Sequence, residues 1–213
     1  MNKPLLVIGM SPGNSYFKQE VINKLLVFSL GEYENIEILI PDVPAISTYV
    51  ALGYPENIAR KEKAIPQGNA FRNRLVKAIE QESLDGSRIH IGNWRKDEIE
   101  ENIEYQTQYL QLKDLYQNNE DFRKDINKAT SDVLLENPFK KKDITISDIE
   151  IGTHYIISEF AYMLSLPILK KDFNLFVYGY HKPWPVWEKF IEGEYDGKKR
   201  EDLGFLLLPS FIL

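Results

Sequence analysis

The sequence has no cysteine, and His90, His154 and His181 are the only histidines among its 213 residues. Without thiols there is no disulfide framework, no thiolate nucleophile and no cysteine metal site. The histidines show no His-Glu-x-x-His spacing, so no zinc or iron centre is expected, and no motif calls for a cofactor. Long apolar runs are missing too, and nothing approaches the length of a membrane span. The amino terminus offers Lys3 but only Leu5 to Ile8 as an apolar core, too short for a secretory signal. A cytoplasmic protein without a membrane partner is therefore expected. No Pro/Gly/Ser-rich linker, internal repeat or low-complexity stretch divides the chain, which predicts a single domain over residues 1–213. Positive charge is outnumbered, 26 Lys and Arg against 32 Asp and Glu, for a formal net charge of −6 and a pI of about 5.2. A surface that is basic all over is excluded.

What remains is the composition of a globular protein, 43% hydrophobic and 27% charged. Leu5 to Ile8 reads as a strand covered on both faces, because its apolar residues do not alternate with polar ones. A helix over Tyr16 to Leu30 follows, capped by Asn14 or Ser15 and stopped by Gly31. Ile36 to Ile40, Arg88 to Ile91, Phe173 to Tyr178 and Gly204 to Leu208 read as further strands. Helical patterns cover Ile46 to Leu52, Asn69 to Glu82, Asp97 to Tyr116, Asp121 to Leu135, and a segment from Ser147 that is strongly apolar over Tyr155 to Leu166 and stops at Pro167. This alternation predicts an α/β fold, an open and mostly parallel sheet with helices on both faces. Ligands of such sheets bind beyond the carboxyl ends of the strands.

One such end carries Gly9-Met10-Ser11-Pro12-Gly13-Asn14-Ser15-Tyr16-Phe17. Gly9, Pro12 and Gly13 allow a sharp turn and close approach of a substrate, which makes Ser11 a candidate nucleophile. Between a strand end and a helix amino terminus, free N–H groups could stabilise an oxyanion. The same residues also suit a plain strand-to-helix turn with no chemistry. Tyr155 and Glu159, spaced i, i+4, share a helix face among Ile156, Ile157, Phe160, Met163 and Leu164. A carboxylate in so apolar a setting needs a partner, either a substrate amine or a lysine or arginine of the fold. Tyr178-Gly179-Tyr180-His181-Lys182-Pro183-Trp184 places Tyr180 and His181 at the same sheet edge as Ser11. A phenol there could relay a proton, or the cluster could only pack the core.

Together the serine turn, the Tyr155-x-x-x-Glu159 pair and the late Tyr180-His181 resemble the cyclodipeptide synthases, over Leu5 to about Trp184. Asn14, Tyr180 and His181 match the subfamily with Asn, Tyr and His at those places. The resemblance implies a Rossmann-like domain related to the catalytic domain of class I aminoacyl-tRNA synthetases. It implies an aminoacyltransferase of secondary metabolism that makes a cyclic dipeptide, a 2,5-diketopiperazine, from two aminoacyl-tRNAs without ATP. Ser11 would carry the covalent intermediate in ping-pong fashion, Tyr155 and Glu159 would hold the α-amino group, and Tyr180 would serve the cyclisation step. Asn14 and His181 would organise the turn and the Tyr180 loop. Val7, Gly9, Ile38 and Ile40 would wall the first aminoacyl side chain. Arg60, Lys61, Lys63, Arg72, Arg74 and Lys77, in a region broken by Pro66 and Gly68, would form a local basic patch for tRNA on an acidic protein. Lys140 to Lys142 and Lys198 to Arg200 are not assigned to it.

The family often has a proline two residues after the glutamate, where this chain has Ala161. The Tyr-His-Lys-Pro-Trp stretch is similar to that of leucine-preferring members, so a product containing leucine or another hydrophobic residue is implied. The mechanism needs no dimer, and a monomer is expected. Two other readings compete. Gly9-Met10-Ser11-Pro12-Gly13 also fits the Gly-x-Ser-x-Gly turn of serine esterases and thioesterases, although only one strand precedes it and Tyr178 stands where a late Asp-x-x-His would put an aspartate. A tRNA-binding module without catalysis is the other.

Overall fold

The computed structural model describes residues 4–94 and 99–208. Five strands, β1 (Pro4–Gly9), β2 (Asn35–Ile40), β3 (Ile89–Asn93), β4 (Leu175–Tyr180) and β5 (Leu203–Leu207), form one sheet in the order β3-β2-β1-β4-β5. Every pairing is parallel. The strand order reverses between β1 and β4, and in such sheets the crevice at the reversal is where ligands bind. Ser11 follows β1 and His181 follows β4, so the two sequence motifs meet there.

Helices α1 (Gln19–Glu32), α2 (Ala45–Ala51), α3 (Glu56–Ile58), α4 (Ile65–Gln81), α5 (Ile103–Asn118), α6 (Glu120–Glu136), α7 (Ile146–Leu169) and α8 (Pro185–Ile191) complete the described chain. Alternation along the strands sorts two cores. Leu6, Ile8, Ile36, Ile38 and Ile40 pack with Leu25 and Leu26 of α1 and Phe71 and Leu75 of α4. Leu5, Val7, Leu39, Phe176 and Tyr178 face the other way, onto Phe160 and Met163 of α7 and onto Trp187 and Phe190 of α8. Helix α7 is apolar nearly all round because α2, α5, α6 and the sheet all pack on it. Thr145 caps it in a reciprocal capping box with Asp148. Phe160 is wholly buried, and truncating such a ring to alanine costs about 3–5 kcal/mol.

Several boundaries differ from the sequence expectation for physical reasons. Helix α1 starts at Gln19, not Tyr16, and neither Asn14 nor Ser15 caps it. Asn14 instead accepts the Tyr16 N–H at 3.0 Å, while Tyr16 and Phe17 pack against His181. Gly31 lies inside the last turn of α1, and the Arg88 guanidinium bonds the carbonyl of Leu30 within that turn and those of Tyr33 and Glu34 just beyond it. Arg88 therefore precedes β3 rather than opening it. Pro66 and Gly68 do not break the helical run either. A π-helical turn over Ala59–Ala64 leads into α4 with Pro66 at its start, and i→i+5 pairing steps over the residue that has no N–H. Pro167 does not stop α7, which continues to Leu169. The expected start of a helix at Asp97 lies outside the described residues.

Candidate active site

Gly13 has φ +86°, and a Cβ there would sit 2.6 Å from the Tyr49 hydroxyl. Only glycine fits that turn, which leaves Ser11 half-buried at the rim of a cavity of about 820 Å3. Pro12, Asn14, Tyr155, Glu159, Tyr178, Tyr180, His181 and Trp184 also line it.

The serine meets a phenol, not an imidazole. Tyr155 Oη lies 2.8 Å from Ser11 Oγ and 3.2 Å from Glu159 Oε1. Glu159 is 3% exposed, and Tyr178 donates a second hydrogen bond to the same carboxyl oxygen at 3.3 Å. Burial raises the Glu159 pKa to about 8, against the pull of the two tyrosine hydrogen bonds. Burial thus favours the protonated carboxyl near neutrality, and a cation placed against it would favour ionisation. Burial and the neighbouring Glu159 push Tyr155 well above the ordinary phenol range. Tyr180 is also raised, first by burial and then by Glu159, while hydrogen bonding to Ser11 and Asn14 works the other way. Neither phenol is a free base near neutrality. His181 stacks on Tyr16 with ring centroids 4.1 Å apart, and burial, helped by Lys182, lowers its pKa to about 4. It is neutral at pH 7.

The structure thus gathers Ser11, Asn14, Tyr155, Glu159, Tyr180 and His181 at one strand edge. It does not gather the expected pocket walls. Ile38 and Ile40 point to the opposite face, into the core of α1 and α4, because side chains alternate along a strand. Leu39, paired with Gly9, is the β2 residue that faces α7. Val7 is buried on the face that packs against α7 but does not line the cavity. Gly9 does not line the cavity either, and the room beside it holds Tyr178, a site residue the sequence reading missed. The signal was there, since Tyr178 and Tyr180 at i, i+2 share a strand face. The oxyanion arrangement also changes, because α1 begins eight positions after Ser11.

Arg60, Lys61 and Lys77 are exposed and Lys63 lies over the rings of Tyr54 and Phe139, at 5.1 and 6.0 Å. Arg72 and Arg74 are not free for phosphate. Arg72 pairs at 2.8 Å with the fully buried Asp42, and Arg74 donates to the Phe17 carbonyl at 2.9 Å while lying over Phe71. Arg72→Ala should therefore destabilise the protein by about 3 kcal/mol, as expected when one member of a buried ion pair is removed. Arg60→Ala should leave the urea midpoint unchanged.

A parallel sheet with a serine and a buried carboxyl gathered beside its reversal point defines an α/β protein whose candidate site lies beyond the carboxyl ends of its strands. The family model for cyclodipeptide synthases matches residues 4–209, and the chain belongs to that family. It is 22% identical over 212 residues to the cyclo(L-leucyl-L-leucyl) synthase of Staphylococcus haemolyticus, covering 98% of this chain and 88% of that protein. A Mycobacterium tuberculosis structure, reported as showing that cyclodipeptide synthetases are related to type I tRNA synthetases, superposes with a TM-score of 0.77 at 21% identity, over 95% of this chain and 84% of that one. A cyclodipeptide synthase from Candidatus Glomeribacter gigasporarum, bound to Phe-tRNAPhe, matches at a TM-score of 0.55 and 18% identity, over 99% and 92% of the two chains. The fold is thus the Rossmann-like one expected. Among the described residues no helix is long and apolar enough to cross a membrane.

Proposed function

We propose that this chain joins two amino acids, each delivered by tRNA, into a cyclic dipeptide through an ester on Ser11. One observation carries the reading: the hydroxyl of Ser11 and the buried carboxyl of Glu159 are bridged by the single phenol of Tyr155. An aminoacyl ester presents an electrophilic carbon with an ammonium on the neighbouring carbon, which matches that pair.

Ser11 Oγ attacks the ester carbonyl, the bond to the tRNA ribose breaks, and the serine proton ends on the ribose oxygen. The ester is already activated, so no ATP is needed. Glu159 holds the ammonium by a charge-assisted hydrogen bond, and Tyr155 holds both partners in register. The amine of a second aminoacyl-tRNA then takes the first residue from Ser11. The dipeptidyl ester returns to Ser11 as the second tRNA leaves. Finally the free amine of the dipeptide attacks the serine ester, which closes the diketopiperazine and restores the hydroxyl. Tyr180 assists this last proton movement, with Asn14 and His181 holding its loop. Arg60, Lys61, Lys63 and Lys77 meet tRNA phosphates. The product contains leucine or another hydrophobic residue, as the similarity to a leucyl-leucyl synthase supports. The enzyme works as a cytoplasmic monomer, in one domain over residues 1–213.

Mass spectrometry of culture medium from bacteria expressing the wild type or Ser11→Ala tests this reading. Cyclic dipeptides should appear with the wild type alone. Their persistence in Ser11→Ala would overturn the serine ester, and their absence from a soluble wild type would remove the synthase reading.

A further inference from the structure

We propose that Tyr178 fills the floor of the first aminoacyl subsite, so that Ser11 carries a small residue, glycine or alanine, and the larger hydrophobic residue enters second. The inference rests on the aminoacyl-transfer reading and deepens it. An acyl group that reaches from Ser11 Oγ to Glu159 Oε1 has its α-carbon between those atoms. Tyr155 covers one side of that position, within 2.8 Å of the serine and 3.2 Å of the glutamate. A side chain pointing into the protein must go down toward Gly9, where the missing side chain should leave depth.

That depth is occupied. A Cβ on Gly9 would lie 2.0 Å from the Tyr178 hydroxyl, 2.8 Å from its Cζ and 3.3 Å from Glu159 Oε1. Glycine at this position therefore accommodates a residue of the protein itself, not a substrate side chain. Tyr178 has little freedom to withdraw. It is 1% exposed, bonded to Glu159, and packed against Trp184 and Trp187 with centroids at 5.1 and 6.1 Å. A dense floor of this kind resists extra methylenes. Elsewhere the cavity is walled by Ala45, Thr48, Val133, Leu134 and Ile156, with Asp132 and Glu136 also in its lining. The small and aliphatic members of this lining suit the side chain of the second, incoming residue.

The test is acylation of Ser11 in single turnover. Purified enzyme is mixed with tRNA charged separately with each protein amino acid, quenched, and read by intact-protein mass spectrometry. The wild type should be labelled by glycyl- and alanyl-tRNA at least tenfold faster than by leucyl-tRNA. Tyr178→Leu, which removes the phenol, should bring that ratio near unity or reverse it. Tyr178→Phe keeps the ring and should lie between. Every aminoacyl group bears the same ammonium, so a weakened Glu159 cancels from the ratio. Leucyl labelling of the wild type as fast as alanyl labelling would overturn the proposal, as would an unchanged ratio in a folded Tyr178→Leu. Should Tyr178→Leu not fold, the wild-type ratio and Tyr178→Phe decide. No label from any charged tRNA would instead sink the aminoacyl-transfer reading beneath it.

Discussion

Glu159→Gln is expected to lose at least a hundredfold in acylation of Ser11 and, at pH 8, to unfold at a higher temperature than the wild type. Both effects come from one buried carboxyl. The amide keeps the shape and can still bond Tyr155 and Tyr178, but it has no charge to offer an ammonium, and losing a charge-assisted bond in a buried site is a large loss. Stability moves the other way. The folded carboxyl titrates near pH 8, against an ordinary glutamate value of about 4.5. Between those values the unfolded chain sheds a proton that the folded chain retains, so wild-type stability falls as pH rises from about 4.5 to 8. Glutamine does not titrate, and the substitution removes that loss. The difference at pH 8 is on the order of 4 kcal/mol, or roughly 10 °C in melting temperature. Thermal melts at pH 4.5 and pH 8 check it, since the gap should nearly vanish at the lower pH. Equal melting temperatures at pH 8 would show that Glu159 does not carry the raised pKa on which the ammonium site depends.

The sequence disclosed the parts of this site that depend on chain order and local turn chemistry. Ser11 after an apolar strand, Tyr155 and Glu159 one helical turn apart, and Tyr180 at a strand end could be placed without coordinates, because strand-to-helix alternation fixes which ends of the elements face the ligand. What depends on register was harder. The family resemblance implies Ile38 and Ile40 as pocket walls, yet one step of strand alternation turns them to the far face and brings Leu39 beside Gly9. Tyr178 was passed over because a tyrosine within an apolar strand reads as core; only the missing Cβ of Gly9 shows what its hydroxyl fills. The basic patch shows the same limit. Charge counting cannot tell Arg60, which is exposed, from Arg72, whose guanidinium is committed to Asp42. Helix punctuation misled most where tertiary contacts took over, as at Pro66, where a π turn absorbs the missing donor.

Tyr155→Phe is expected to slow acylation of Ser11 at neutral pH by about a hundredfold and to shift its acid limb upward. The phenol touches both reacting partners, so its loss leaves Ser11 Oγ and Glu159 Oε1 without their common bridge. Loosened placement of reacting groups by an ångström is enough for an effect of that size. The pH dependence separates this role from a merely structural one. Capture of an ammonium requires Glu159 to ionise, so acylation under subsaturating charged tRNA should rise up to tenfold per pH unit below 8 in the wild type. Its hydrogen bond from Tyr155 pulls the Glu159 pKa down from where burial alone would put it. Phenylalanine removes that pull, and the limb should move to higher pH with its slope unchanged. Glu159→Gln should show no such limb at all. A Tyr155→Phe enzyme that is slower by the same factor at every pH would confine Tyr155 to holding the serine, with no hand in the charge of Glu159.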